Sequence, residues 1–183
     1  MPVQIKTLPV GMLQVNCYVV WAPPSMHAAI IDPGDDAAEI LAFVEGESLT
    51  VGAVLLTHAH VDHIGGVPRI AEATGAPVYV HGADHSLYAS PDNALPPWVP
   101  AVVGLPEPAA EVPAVDGLTF AVLHTPGHTR GGVCYHFADD GILVSGDTLF
   151  AGSIGRTDLP GGDMTTLMTS LERLVRDVPG DTA

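Results

Sequence analysis

The chain has 183 residues, 47% hydrophobic and 15% charged, a balance that excludes disorder. It gives one domain over residues 1–183 enough apolar material for a core without disulfide staples. Six Lys plus Arg against 21 Asp plus Glu leave a net charge of −15, which repels phosphate backbones and opposes both nucleic-acid binding and a polybasic membrane contact.

The start, Met1-Pro2-Val3-Gln4-Ile5-Lys6, has no charged region leading into an apolar stretch, so no signal peptide is expected. No apolar run reaches the length of about 18 residues that a membrane span needs, and a soluble cytoplasmic protein is expected. Cys17 and Cys134 could form one disulfide, but two cysteines in a chain of this size are expected to be buried free thiols.

In chain order, Val15 to Trp21 and Ala28 to Ile31 read as strands, the second ending at the turn Asp32-Pro33-Gly34. Asp35 or Asp36 is placed to cap a helix with Ala37, Ile40, Leu41 and Val44 on its apolar face. Val51 to Leu56 is apolar on both faces, as an inner strand should be. Ile64, Val67, Ile70 and Thr74 repeat at helical spacing up to Gly75, and Pro77 to Val80 is a further strand. This β-α-β-α-β order predicts helices packed over a sheet.

Residues 90–114 carry seven prolines, which exclude a regular helix and predict a long functional or covering loop. Strand patterns follow at Leu118 to Leu123, Gly132 to Phe137 and Ile142 to Ser145, the last two joined as a hairpin by Asp139-Asp140-Gly141. Met164, Leu167, Met168, Leu171, Leu174, Val175 and Val178 then form a helical stripe capped by Asp163.

The chemistry concentrates in Thr57-His58-Ala59-His60-Val61-Asp62-His63, directly after the inner strand. Three imidazoles and a carboxylate suit zinc, iron or manganese rather than calcium or magnesium. His128 lies in Thr125-Pro126-Gly127-His128-Thr129, and Asp147 in Ser145-Gly146-Asp147-Thr148. Both stand in loops at strand ends, where α/β architectures collect functional groups, although each alone reads equally as a turn residue.

Taken together, T-H-A-H-V-D-H-I-G-G, P-G-H-T and S-G-D-T-L-F resemble the metallo-β-lactamase superfamily, over nearly the whole chain. The resemblance implies an α/β fold, a four-layer αββα sandwich with two mixed sheets inside and the metals at one edge. It implies two divalent metal ions, zinc first, with iron or manganese as alternatives. His58, His60 and His128 would hold the first metal, and Asp62 and His63 the second, with Asp147 bridging. His58 and His60, two apart in an extended segment, share a face, which suits that division. A hydroxide between the metals would be the nucleophile, with Asp62 orienting it or accepting its proton.

One element of the family pattern has no match. A further histidine usually follows the last helix, in a P-G-H-G-like loop, but no histidine lies beyond His136. The chain is therefore expected to lack the final strand and that loop, leaving the second metal to Asp62, His63, Asp147 and water, or to Asp181 as a substitute.

Within the superfamily, A-G-S-I-G-R-T-D-L-P-G-G-D resembles the small, single-domain relatives of glyoxalase II, the hydroxyacylglutathione hydrolases. That implies a small-molecule thioester substrate, of the S-lactoylglutathione type. Arg156 would then contact a substrate carboxylate, or else pair with Asp158 or Asp163. Two other readings stand beside it. A persulfide dioxygenase of the same superfamily would hold one iron with His58, His128 and Asp147, and a catalytically impaired domain would use its metal for structure alone. His81 and His85 are expected to pack loops, His124 to hydrogen-bond a ligand, and Trp98 to wall the cleft or anchor the Pro-rich loop. Nothing in the sequence fixes an oligomeric state.

Overall fold

The computed structural model describes residues 2–183. The chain begins with the strands β1 (Gln4–Val10), β2 (Val15–Trp21) and β3 (His27–Ile31), then helix α1 (Ala37–Gly46) and β4 (Thr50–Leu55). Helices α2 (Val61–Ile64) and α3 (Val67–Thr74), strand β5 (Val78–Tyr79) and helix α4 (His85–Tyr88) come next. After the Pro-rich segment come β6 (Ala121–His124), β7 (Val133–Phe137), β8 (Ile142–Val144), β9 (Leu149–Phe150), β10 (Ser153–Ile154) and helix α5 (Met164–Asp177).

The strands β1 to β5 form one sheet in that order, antiparallel through β3 and parallel from β3 to β5. A second sheet is the antiparallel β6-β7-β8, and β9 with β10 is a small separate hairpin. Alternation along β3 and β4 explains the layers. Ala28, Ile30, Val54 and Leu56 face α1 and α3, packing with Ile40, Val44, Val67 and Ile70. Ala29, Ile31, Ala53 and Leu55 face the second sheet, packing with Val133, Tyr135, Phe137 and Val144. The Tyr135 hydroxyl, buried in that interface, donates to the Leu56 carbonyl at 2.8 Å. Helix α5 is capped by the Asp163 carboxylate, which accepts from the Thr166 amide at 2.7 Å. Its Ser170 hydroxyl donates to the Pro126 carbonyl at 2.7 Å, seating it on the loop after β6. The architecture is the expected four-layer sandwich, but only the first sheet is mixed, because the short turns joining β6 to β7 and β7 to β8 leave the second wholly antiparallel.

Several local readings change. The helical spacing from Ile64 to Thr74 belongs to two helices, because the Gly66 amide is bonded to the Pro33 carbonyl at 2.8 Å and the chain breaks there. Asp36 is the N-cap residue of α1, but its carboxylate accepts from the Gly11 amide at 2.9 Å rather than capping the helix. Strand β6 starts at Ala121, three residues later than the pattern suggests. Strand β1, an edge strand with Gln4 to Lys6 exposed and Pro9 within it, carries little of the usual signal. Hairpin β9-β10 has two residues a side, too short for periodicity.

Segment 90–114 is a cover with little regular structure. Buried Asn93 ties it together, donating to the Tyr88 carbonyl and accepting from the Val102 amide, and the Ala109 amide bonds the Val78 carbonyl on the open side of β5. Cys17 and Cys134 are both free and buried, and burial pushes both thiols up, away from reactivity. After α5 no strand follows among the described residues, though Ala183 exchanges backbone bonds with Gly141 and Leu143 beside β8. No described helix is long and apolar enough to cross a membrane.

Candidate metal centre

The parallel strands β3 and β4 deliver their C-terminal ends to one edge of the sandwich. Asp32 follows β3, and Thr57 to His63 follow β4. From the second sheet, the turn after β6 brings His128 and the turn after β8 brings Asp147. Ligand positions therefore come from loops on two independently braced sheets, the usual place for function in such folds.

Three imidazole nitrogens converge. His128 Nε2 lies 3.2 Å from His58 Nε2 and 3.0 Å from His60 Nδ1. For metal–nitrogen bonds of about 2.05 Å, the edge of a tetrahedron is about 3.3 Å, so these spacings suit one ion. A second group joins His58 to His63 and Asp147, whose donor atoms all lie within 4.8 Å of one another. Asp147 spans the two groups, with Oδ1 3.2 Å from His63 Nε2 and Oδ2 3.5 Å from His128 Nε2. The Asp62 carboxylate stands 3.8 Å from His63 Nε2 at the margin of the second group.

The outward nitrogens are fixed from behind. His128 Nδ1 donates to the Arg156 carbonyl at 2.7 Å, and His63 Nδ1 meets Asp32 Oδ2 at 3.0 Å. The Thr57 hydroxyl donates to Asp32 Oδ2 at 2.6 Å and so accepts from His58 Nδ1 at 3.1 Å. In all three rings Nδ1 is thereby occupied and Nε2 turned to the centre, as a lone pair in His58 and His128 and, in His63, as a lone pair once its proton is lost. His60 points the other way, Nδ1 inward and Nε2 buried without a partner. His63 Nε2 and Asp62 Oδ1 are likewise buried polar atoms without a hydrogen-bond partner. Lone pairs packed face to face, and the unpartnered His63 Nε2 and Asp62 Oδ1, are costly unless a cation satisfies them, and this donor set fits one; the His60 Nε2, pointing away, is not satisfied by that ion.

Electrostatics prepares the same atoms. Burial, with His128 and His63 nearby, pulls the His60 pKa down to about 3, and burial pulls His58 well below its ordinary value. Both rings are neutral ligands at pH 7, with no proton to displace. Burial also opposes charge on His63, but Asp32 and Asp147 outweigh it and hold that imidazole protonated well above the ordinary range. For Asp147, burial is likewise outweighed, by His63 and His128, and its pKa sits at about 2. Burial raises the Asp62 carboxyl.

The centre opens into a cavity of about 460 Å³ lined by Asp62, His63 and Asp147 on one side and Leu13, Tyr18, Leu149 and Phe150 on the other. Trp98, 63% exposed, does not line that cavity but a smaller hollow that shares Leu13 and Asp62 with it, and its amide bonds the Leu95 carbonyl within the Pro-rich loop. The Arg156 guanidinium is bidentate to Asp158 at 2.7 Å and exposed. What Arg156 gives the centre is its backbone carbonyl, an atom no side-chain pattern reveals. His124 does not bond a ligand ring: its Nε2 meets the Arg130 carbonyl at 2.9 Å, and its ring stacks on His81. Sequence reasoning misses Asp32 and Thr57 as site residues, because Asp32 reads only as the start of a turn. Asp181 makes no contact that would place it at the centre among the bonds described.

Comparison with known proteins bears on the fold and the family. The profile of the metallo-β-lactamase superfamily matches residues 10–182. A Haemophilus influenzae protein named hydroxyacylglutathione hydrolase GloC is 35% identical, the alignment covering 91% of this chain and 82% of that protein. Two solved structures superpose with a TM-score of 0.83. One, described as BLEG-1 B3 metallo-β-lactamase, is 36% identical over 98% of this chain and 88% of its own. The other, TTHA1623 in a di-iron-bound form, is 40% identical over 95% of this chain and 87% of its own. With the family profile matched over nearly its whole length and the fold shared with these structures, this chain belongs to the metallo-β-lactamase superfamily.

Proposed function

We propose that residues 1–183 form one domain that hydrolyses small-molecule thioesters with two divalent metal ions, zinc foremost, held by His58, His60 and His128 and by Asp62, His63 and Asp147. The observation that carries this reading is Asp147, which turns one carboxylate oxygen to His63 and the other to His128 at the mouth of a cavity. A carboxylate so placed joins two cation sites. The relative named hydroxyacylglutathione hydrolase supports the substrate class. When bound, the metals supply Lewis acidity for a carbonyl and lower the pKa of a water.

The chain's own residues do the rest. Leu13, Leu149 and Phe150 hold the acyl part against the cavity wall. Asp62, whose carboxyl pKa is raised by burial, would take the proton of the attacking water at the carboxylate oxygen that does not hold the metal. Loss of the thiol requires little acid assistance, because a simple thiol has a pKa of about 8.5. The cavity lining includes no Lys or Arg, so a carrier is recognised there by apolar and hydrogen-bonding contact rather than by ion pairing.

The test is thiol release from S-lactoylglutathione and from an uncharged acyl thioester, before and after chelation and zinc restoration. Metal-dependent release is expected. Absence of release from the zinc-loaded chain, with oxygen uptake on glutathione persulfide by the iron-loaded one, would instead identify a dioxygenase. The pH dependence has a definite sign. His63 must lose a proton to bind a cation, and its pKa lies above the ordinary value, so affinity at the second group rises with pH until that pKa is passed. Stability works the other way: the His63 ion pair supports the metal-free fold below the unfolded pKa of about 6.5 and is lost as pH rises through the folded value. Proton release on zinc addition at pH 7, followed by calorimetry in buffers of different ionisation enthalpy, checks this.

A further inference from the structure

Strand β5 also ends at the edge of the sandwich that holds the candidate centre, yet the turn after it supplies none of the ligand positions. Asp84 lies in that turn, the 3-10 turn Gly82–Asp84, and is 1% exposed. A buried carboxylate must find donors, and this one has three. Its Oδ1 accepts from the Gly131 amide at 2.6 Å. Its Oδ2 accepts from the Thr129 hydroxyl at 2.8 Å and from the Ala59 amide at 3.2 Å.

The positions of those donors matter more than their number. Ala59 stands between His58 and His60, and Thr129 directly follows His128. The first loop belongs to the five-stranded sheet and the second to the three-stranded sheet. One carboxylate therefore ties together the two backbones that carry the three converging nitrogens. The approach is close: a Cβ on Gly131 would sit 2.7 Å from Asp84 Cγ, so that position has room only for glycine. A second grip from the same segment reinforces it. The His81 ring stacks on His124 at 4.1 Å between centroids and 14° between planes, where the strand before the His128 turn ends.

We propose that Asp84 is a positioning residue for the metal centre, holding the His58–His60 loop and the His128 turn at the separation that lets their nitrogens share one ion. This rests on the reading that His58, His60 and His128 bind metal. Asp84 touches none of the three rings in the bonds described, so it acts through backbone placement. Ligand geometry is sensitive to such outer partners, whose loss weakens binding about 10–100-fold.

Asp84→Asn is the sharpest variant. It keeps the shape, but its amide group must turn a donor towards either Gly131 N–H or Ala59 N–H, so one clamp bond becomes a repulsion. Zinc affinity is measured by competition with a chromophoric chelator, and the visible spectrum of the cobalt-loaded protein reports ligand geometry. Expected are zinc binding about 10–100-fold weaker than in the unaltered chain and a displaced or weakened cobalt band. Thr129→Val removes one bond and leaves the carboxylate. It should weaken zinc about tenfold, and Thr129→Ser should restore it. If Asp84→Asn fails to fold, the Thr129 pair decides alone. Wild-type zinc affinity and an unchanged cobalt spectrum in the folded variants, with the loss confined to the thermal midpoint, would overturn the assignment. Failure of the unaltered chain to bind zinc would overturn the metal reading itself, and this role with it.

Discussion

Replacing His58 by alanine is expected to weaken zinc binding at least about 100-fold and to bring thioester hydrolysis to background. His58 supplies one of the three converging nitrogens, with His60 and His128, and a donor atom of its ring also lies within 4.8 Å of those of His63 and Asp147, so its loss disturbs both groups. Loss of His60 leaves the second group whole, and loss of His63 leaves the first. The chain should remain folded, since the imidazole removed is a fully buried polar ring whose neighbours are three further imidazoles within 4.0 to 4.8 Å. Burying that ring stabilises nothing unless an ion is present. Zinc content and the thermal midpoint of the chelated protein, measured on one preparation, separate ligand loss from unfolding. A His58→Ala chain that keeps a full zinc complement would contradict the assignment of His58 to the first ion.

Gly34→Ala is expected to cost about 3 kcal/mol, a fall of roughly 6–12 °C in the thermal midpoint for a chain of this size. The reason is space. A Cβ at Gly34 would land on the Asp62 carbonyl oxygen and 2.6 Å from its carbon. That obstacle is backbone, at the start of the helix that carries Asp62 and His63. Nor can the loop simply retreat, because the neighbouring Pro33 carbonyl is bonded to the Gly66 amide and Asp32 is bonded to Thr57 and His63. One methyl group must therefore move the second donor group as well as strain the fold, and zinc stoichiometry should fall with the midpoint. A fall in the midpoint with stoichiometry intact would show that the two loops can separate without disturbing the ligands.

The residues behind these expectations differ in how far the sequence reveals them. The inner strands and α5 are legible because burial on one or both faces leaves a regular pattern: Val51 to Leu56 apolar throughout, and Leu167, Leu171 and Leu174 at helical spacing. The six side chains proposed as ligands are legible because imidazole and carboxylate groups are rare in such density, and the structure brings all six to one edge. Strand β1 is not legible, since an edge strand buries little and tolerates Lys6 and Pro9. The three strands of the second sheet and the hairpin between its last two are legible, but not that they form a sheet apart from the first, because a strand pattern reveals that a face is buried and not what covers it. The supports are hardest to read. Asp32 reads as a turn residue until its three bonds to Thr57 and His63 are seen, and Asp84 carries no pattern at all. Arg156 draws attention as a cation, yet its carbonyl oxygen is what orients His128.

The most direct test of the account is metal content per chain, by elemental analysis of protein purified without added metal or chelator. Close to two ions per chain, zinc alone or zinc mixed with iron and manganese, is the predicted result. A single iron per chain, unaltered by zinc supplementation, would contradict the dinuclear hydrolase.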